Sequence, residues 1–279
     1  RLDGLSIVLD CGHGAAYALA PRALRALGAE VAVLNDAPDG RNINDACGST
    51  DPSALAAAVV ASGAAAGLAF DGDADRIVMV DAAGAIVDGD EILAVLALDL
   101  AARDALPHHA IATTVMANLG LRRALGAHAI DMVETPVGDR AVKAAMDERG
   151  LALGGEQSGH IILGALASTG DGTLTGIAVL DVLARTGRSL AELAGVVEKA
   201  PQVLRNVRVA DRDGLEHAAA FWAEVAAVET DLGSDGRVLV RPSGTEPVVR
   251  VMVEAVAPGV AEAMTDRLVG ALVAALGPA

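Results

Sequence analysis

A short apolar run, a glycine turn and a stretch with helical spacing succeed one another repeatedly, and few architectures accept that order. Leu5 to Leu9 reads as a buried strand and Cys11-Gly12-His13-Gly14 as a turn. Ala15 to Leu27 has helical spacing and stops at Gly28, and Val31 to Leu34 is the next strand. Thr50-Asp51-Pro52 predicts a helix start, with proline at the first helical position and the helix running through Val60. Gly67 to Phe70 and Ile77 to Val80 are strands, and Asp90 is the expected cap of a helix through Ala102. The pattern breaks at Ala105-Leu106-Pro107-His108-His109 and resumes with strand 110–114, helix 119–125, strand 129–133 and helix 140–149. Ser189-Leu190-Ala191-Glu192 has capping-box spacing, and Pro201 closes the helix it opens. Strand 203–209, helix 213–229, strands 237–241 and 248–254 and helix 258–276 complete the chain. The expectation is an α/β protein: two successive α/β domains, 1–104 and 105–201, with parallel or mixed sheets covered by helices, then a small α+β domain, 202–279.

Composition narrows what such a chain can bind. Aromatic residues are 1% of the 279, too few for the ring platforms that hold single-stranded nucleic acid. The formal net charge of −16 repels a polyanion, so no nucleic-acid partner is expected, whereas a small phosphorylated ligand needs only a local group of cations. Cys11 and Cys47 form no disulfide framework and read as reduced thiols. The most apolar segment, Ile92 to Leu98, ends at Asp99, far short of the roughly 18–20 residues a bilayer requires. No membrane association and a cytoplasmic location are the expectations.

Three loops carry chemistry. In Phe70-Asp71-Gly72-Asp73-Ala74-Asp75-Arg76, three carboxylates at alternate positions follow an apolar strand. Like charges so close are costly unless a cation neutralises them, and hard oxygen ligands suit Mg²⁺. An EF-hand is excluded, because its Gly and Glu positions hold Arg76 and Ala82. An exposed acidic turn, or a phosphatase with Asp71 as nucleophile, stays open. Gly154-Gly155-Glu156-Gln157-Ser158-Gly159-His160 presents Glu156, Ser158 and His160 among glycines, as a sugar-hydroxyl site would; a polar hairpin is the alternative. Arg241-Pro242-Ser243-Gly244-Thr245-Glu246-Pro247, with Arg250 beyond it, combines hydroxyls, backbone amides and guanidinium groups as a phosphate cradle does. Arg237, Arg241 and Arg250 lie close together in a chain short of cations, and Val249, Val251 and Val253 should bury on one face of their strand; a plain hairpin turn is the alternative. Weaker signals are Asp139-Arg140, which either caps a helix or lines a cleft, and Ser168-Thr169-Gly170-Asp171-Gly172, a turn or helix cap.

In this order the loops resemble those of the α-D-phosphohexomutase superfamily, and the resemblance spans essentially the whole chain. It extends to Pro38-Asp39-Gly40-Arg41-Asn42-Ile43-Asn44, Cys47-Gly48-Ser49, Thr114-Val115-Met116-Ala117-Asn118-Leu119-Gly120 and Thr169-Gly170-Asp171-Gly172. His13 and Ser168 depart from the residues frequent at those positions. The resemblance implies two α/β/α sandwich domains and a small C-terminal domain. It implies Mg²⁺ on Asp71, Asp73 and Asp75, with Arg76 catalytic beside the transferring phosphate. It assigns Glu156, Ser158 and His160 to the sugar, and Arg241, Ser243, Gly244, Thr245 and Arg250 to the non-reacting phosphate. The implied substrate is a small hexosamine phosphate, moved between its 6- and 1-phosphates through a phosphoserine and a 1,6-bisphosphate. Gln157 and Cys47-Gly48-Ser49 favour the glucosamine branch; the mannose/glucose branch and a non-catalytic phosphosugar-binding module are the alternatives. The superfamily has four domains, and this chain is expected to begin at the second. The sequence holds no Ser-His pair, hence no Ser-His-Asn-Pro loop of the kind whose serine is phosphorylated, so the chain alone is expected to lack turnover.

Overall fold

The computed structural model describes every residue except Gly244, Thr245, Pro247 and Ala279. The chain forms two compact units, residues 1–117 with 121–198, and residues 118–120 with 199–279.

The larger unit opens with β1 (Ser6–Asp10), α1 (Ala16–Ala26), β2 (Glu30–Leu34), α2 (Ser53–Ser62), β3 (Ala66–Phe70), β4 (Ile77–Asp81), β5 (Ile86–Val87) and α3 (Gly89–Ala102). β1, β2 and β3 are parallel and β4 and β5 are added antiparallel, giving a mixed sheet in the order β2-β1-β3-β4-β5. The chain continues through β6 (Ala110–Thr114), α4 (Leu119–Ala127), β7 (Asp131–Thr135), α5 (Asp139–Arg149), β8 (Leu153–Gly155), β9 (Ile161–Leu163), α6 (Gly172–Thr186) and α7 (Leu190–Ala194). The second sheet, β7-β6-β8-β9, is parallel except for β9.

Each sheet has helices on both faces, as the apolar patterning requires. α1 offers Ala16, Ala20 and Leu24, four residues apart and so one buried stripe. α2 packs Leu55 and Val59 against Val8, Ala69 and Val80 of the first sheet's other face. α5 packs Val142 and Met146 against Ala110, Ala112 and Ile162 of the second sheet. α3 touches β5 and β8, and α6 touches β3, β4 and β9, so these two helices serve both sheets and one apolar core runs from Leu9 and Phe70 to Ile111, Leu153 and Ile161. Burying each such large side chain contributes roughly 1.5–3 kcal/mol. Cys11 and Cys47 are unpaired and buried, and burial pushes the Cys11 thiol up to about 12.

The C-terminal unit contains β10 (Gln202–Arg208), α8 (Ala219–Leu232), β11 (Gly236–Pro242), β12 (Val248–Ala255) and α9 (Val260–Leu276). Its antiparallel sheet runs β10-β12-β11, and Val249, Val251 and Val253 of the central strand do share the buried face with Phe221, Val228, Leu268 and Leu272. Glu254, fully buried, accepts from Arg237 Nε at 2.7 Å, from Leu119 N at 2.8 Å and from Asn118 Nδ2 at 3.3 Å. The α/β class with a small α+β end is therefore as expected.

Several local expectations need correction. Asp88, not Asp90, caps α3: its carboxylate accepts from the amides of Asp90 and Glu91, and Glu91 returns the bond to Asp88 N. Asp139 is the first helical residue of α5, and Gly138 is the N-cap without a side-chain bond. The stretch 213–229 is a 3₁₀ turn over Asp213–His217 followed by α8, because Ala218 has a non-helical ψ of 65°. α6 continues the turn at 168–172, and Asp171 caps it by accepting from Leu174 N at 2.9 Å.

Candidate functional site

β3 is buried along its whole length and delivers Asp71 at its carboxyl end, next to the turn that follows β1. Loops at the carboxyl ends of neighbouring parallel strands are where open α/β sheets place ligands. Ala15 N donates to Gly72 O at 2.9 Å, and Ala74 N to Asp71 O at 3.1 Å. Ala74 lies in the left-handed region at φ 63°, which folds the loop back on itself. Asp71, Asp73 and Asp75 each bring a carboxylate oxygen within 4.8 Å of the others. Three hard anionic ligands at that spacing, with room for waters, fit a divalent cation of the Mg²⁺ type.

The electrostatics agree. Burial pushes the Asp71 carboxyl above the ordinary range; the Arg76 amide, donating to Oδ1 at 3.2 Å, opposes this, and the charges of Asp75 and Asp73 raise it further. A cation reverses the unfavourable part of that balance. The Arg76 guanidinium has Nε 3.8 Å from both Asp71 and Asp75, with a side chain 51% exposed. It offsets charge without a short hydrogen bond and keeps donors for an incoming anion.

The 156–160 loop joins β8 to β9 and is tied to the aspartate loop through backbone. Ile77 N donates to Gly159 O at 3.1 Å, Arg76 and His160 form an antiparallel bridge, and Gly89 N donates to Gln157 O at 3.0 Å. Gly159 has φ 91°, and a Cβ there would lie 2.0 Å from Ile77 O, so only glycine permits this approach. Glu156 accepts from Gly138 N at 3.1 Å through Oε1, and Ser158 is exposed. His160 ends this loop between two others. It is 3% exposed, with Nε2 3.0 Å from Gly170 N and Nδ1 3.1 Å from Asp75 Oδ2. With Asp139, Arg140, Lys143, Ser168 and Thr169 it lines a polar cleft of about 360 Å³, so Arg140 does line a cleft.

In the C-terminal unit, Arg241 of β11 stands directly opposite Arg250 of β12. Burial and then the Arg250 charge hold the Arg241 guanidinium below its ordinary pKa, and Arg241 has no acidic partner among the described residues. Arg250 Nη2 is 3.7 Å from the Glu246 carboxylate. Ser243 is buried; its amide donates to Val248 O at 2.9 Å, and its Oγ accepts from Glu246 N at 3.3 Å. Gly244 and Thr245 lie outside the described residues. Arg237, grouped with these cations by sequence, serves the buried Glu254 instead. Arg212 takes a place sequence reading did not give it. Nη1 donates to Ser243 O at 3.3 Å and Glu246 O at 3.5 Å, while Nε and Nη2 hold Asp213 at 2.9 and 2.8 Å. Scarcity of cations was the only sequence signal for it.

Two helix-covered mixed sheets, an α+β unit and an aspartate loop ending a buried strand define a class with known members. The families described as phosphoglucomutase/phosphomannomutase alpha/beta/alpha domain II, alpha/beta/alpha domain III and C-terminal domain match residues 1–84, 88–200 and 204–271, and the chain belongs to this phosphohexomutase superfamily. Among its relatives, a phosphoglucosamine mutase of Symbiobacterium thermophilum is 55% identical over 253 residues, covering 91% of this chain and 57% of its own length. One of Thermobifida fusca is 55% identical over 268 residues, covering 96% and 60%. The chain thus spans less than two thirds of the curated relatives it matches. A phosphoglucomutase/phosphomannomutase family protein of Burkholderia thailandensis superposes with a TM-score of 0.81 at 28% identity, over 97% of this chain and 60% of that one. An Aspergillus fumigatus N-acetylphosphoglucosamine mutase, solved with GlcNAc-6P and magnesium, shares the fold with a TM-score of 0.78 at 22% identity, over 98% and 62%.

Proposed function

We propose that this chain supplies the metal-holding, sugar-reading and phosphate-gripping parts of a cytoplasmic phosphoglucosamine mutase, which interconverts glucosamine 6-phosphate and glucosamine 1-phosphate. The observation that carries this reading is the convergence of Asp71, Asp73 and Asp75 at the end of β3, in a chain about 55% identical to phosphoglucosamine mutases. The three aspartates would hold Mg²⁺, which supplies charge withdrawal from a phosphoryl group in transfer. The half-exposed Arg76 meets the same group's oxygens. Glu156 and Ser158 meet sugar hydroxyls; Glu156 is held by Gly138 N through one oxygen, leaving the other to accept. Arg241 and Arg250, paired across the hairpin with Ser243 at its turn, grip the phosphate that is not being transferred and so set the sugar's position. The nucleophile in this reading is a phosphoserine outside the present sequence, with a 1,6-bisphosphate linking the two half-reactions.

Calorimetric titration of the 279-residue chain tests it. Glucosamine 6-phosphate should bind in the presence of Mg²⁺, Asp73→Asn should remove the Mg²⁺ heat, and neither protein should turn the sugar over. Turnover by the purified chain, or no binding of either ligand, contradicts the reading.

A further inference from the structure

Three loops of the larger unit meet at one imidazole. His160 ends the 156–160 loop; its Nδ1 faces Asp75 Oδ2 in the aspartate loop at 3.1 Å, and its Nε2 faces the Gly170 amide nitrogen at 3.0 Å. A backbone amide only donates, so Nε2 is the acceptor and carries no proton. The ring proton therefore resides on Nδ1 and is donated to the carboxylate, which fixes the tautomer by geometry. Gly170 sits so close over the ring that a Cβ would fall 2.6 to 2.7 Å from Cε1, Nε2 and Cδ2. Both flanks are pinned independently: Gly172 N donates to Ala74 O at 2.9 Å, and Arg76 bridges His160 through backbone.

We propose that His160 is a positioning residue for the metal centre. Its Nδ1–H holds Oδ2 of Asp75 and so fixes the orientation in which this carboxylate meets a cation shared with Asp71 and Asp73. To the backbone ties between the two loops the imidazole thereby adds a side-chain tie that ends on a metal ligand. This inference rests on the reading that the three aspartates bind a divalent cation.

Two amide variants split the ring's functions. In His160→Asn the amide nitrogen lies where Nδ1 was, so the donor to Asp75 is kept and the acceptor for Gly170 is lost. In His160→Gln the amide reaches the Nε2 position, so the acceptor is kept and the donor is lost. Free Mn²⁺ is followed by electron paramagnetic resonance as the full chain is titrated. His160→Gln should raise the Mn²⁺ Kd by about tenfold or more, as loss of a partner behind a metal ligand generally does, and His160→Asn by less than about threefold. Loss of packing alone would move both variants together. Long-range ¹H–¹⁵N correlation on the wild-type chain should show His160 protonated at Nδ1 and bare at Nε2. Wild-type Mn²⁺ binding combined with an unchanged His160→Gln, with equal losses in both variants, or with a proton on Nε2, overturns this inference alone. A wild-type chain that binds no Mn²⁺ overturns the metal reading itself, and this inference with it.

Discussion

Asp71 shows how one buried carboxylate sets the terms of the site. Its pKa is raised by burial, so the folded chain holds that proton more tightly than the unfolded chain. Its contribution to stability is therefore present below the ordinary carboxylate pKa and is lost as pH rises through the raised value. At neutral pH the ionised group is a cost that a bound cation removes. Asp71→Asn keeps an oxygen for the Arg76 amide and deletes the charge. The metal-free variant should melt about 1–3 °C above wild type at pH 7, whereas Mg²⁺ should raise the Tm of the wild-type chain and not that of the variant. Scanning calorimetry with and without Mg²⁺ checks both parts, and a lower metal-free Tm for the variant contradicts the argument. The three aspartates were legible because like charges at such spacing demand an explanation. The role of His160 was not, because its partners lie 85 and 10 positions away and only the fold brings them to its two nitrogens.

Elements were legible where hydrophobic spacing decides them and illegible where a cap or one dihedral does. β3, β12 and α9 fall close to where their apolar periods put them. The start of α3 does not, because Asp88 and Asp90 have the same chemistry and only the extended backbone at Asp88 selects it as cap. The break at Ala218 is equally silent, since alanine is a good helix former in isolation. Backbone pairing between elements leads to firmer forecasts. Gly159→Ala would place a methyl against Ile77 O in a backbone region alanine avoids. It should cost about 3 kcal/mol or more in urea unfolding, beyond the usual range for a surface loop. Arg212→Ala removes the bonds to the Ser243 and Glu246 carbonyls beside the proposed phosphate site. The Kd for glucosamine 6-phosphate should rise about five- to tenfold by calorimetric titration, the equivalent of one net hydrogen bond. Unchanged affinity would show that the hairpin keeps its shape without Arg212.

At the scale of the molecule, the hydrophobic interior is divided: the residues of the C-terminal core are distinct from those under the two mixed sheets. Thermal unfolding should accordingly show two transitions. Glu254→Ala removes the buried acceptor shared by Arg237 Nε, Leu119 N and Asn118 Nδ2 and should lower only the transition of the C-terminal unit, by about 3 kcal/mol. A single transition displaced as a whole would show that the units melt as one. The order of apolar runs was enough to foresee two helix-covered α/β layers and a different C-terminal element set. The division of the interior was not written in that order, because which helices serve two sheets depends on packing that periodicity does not encode. The facing guanidinium groups of Arg241 and Arg250 have a further consequence in a chain of net charge −16. Long phosphodiesters meet the field of the entire protein and are turned away, while a compact phosphate monoester samples only the few ångströms around the hairpin. On the proposed reading, phosphorylated molecules are thereby sorted by their extent before any hydroxyl is met.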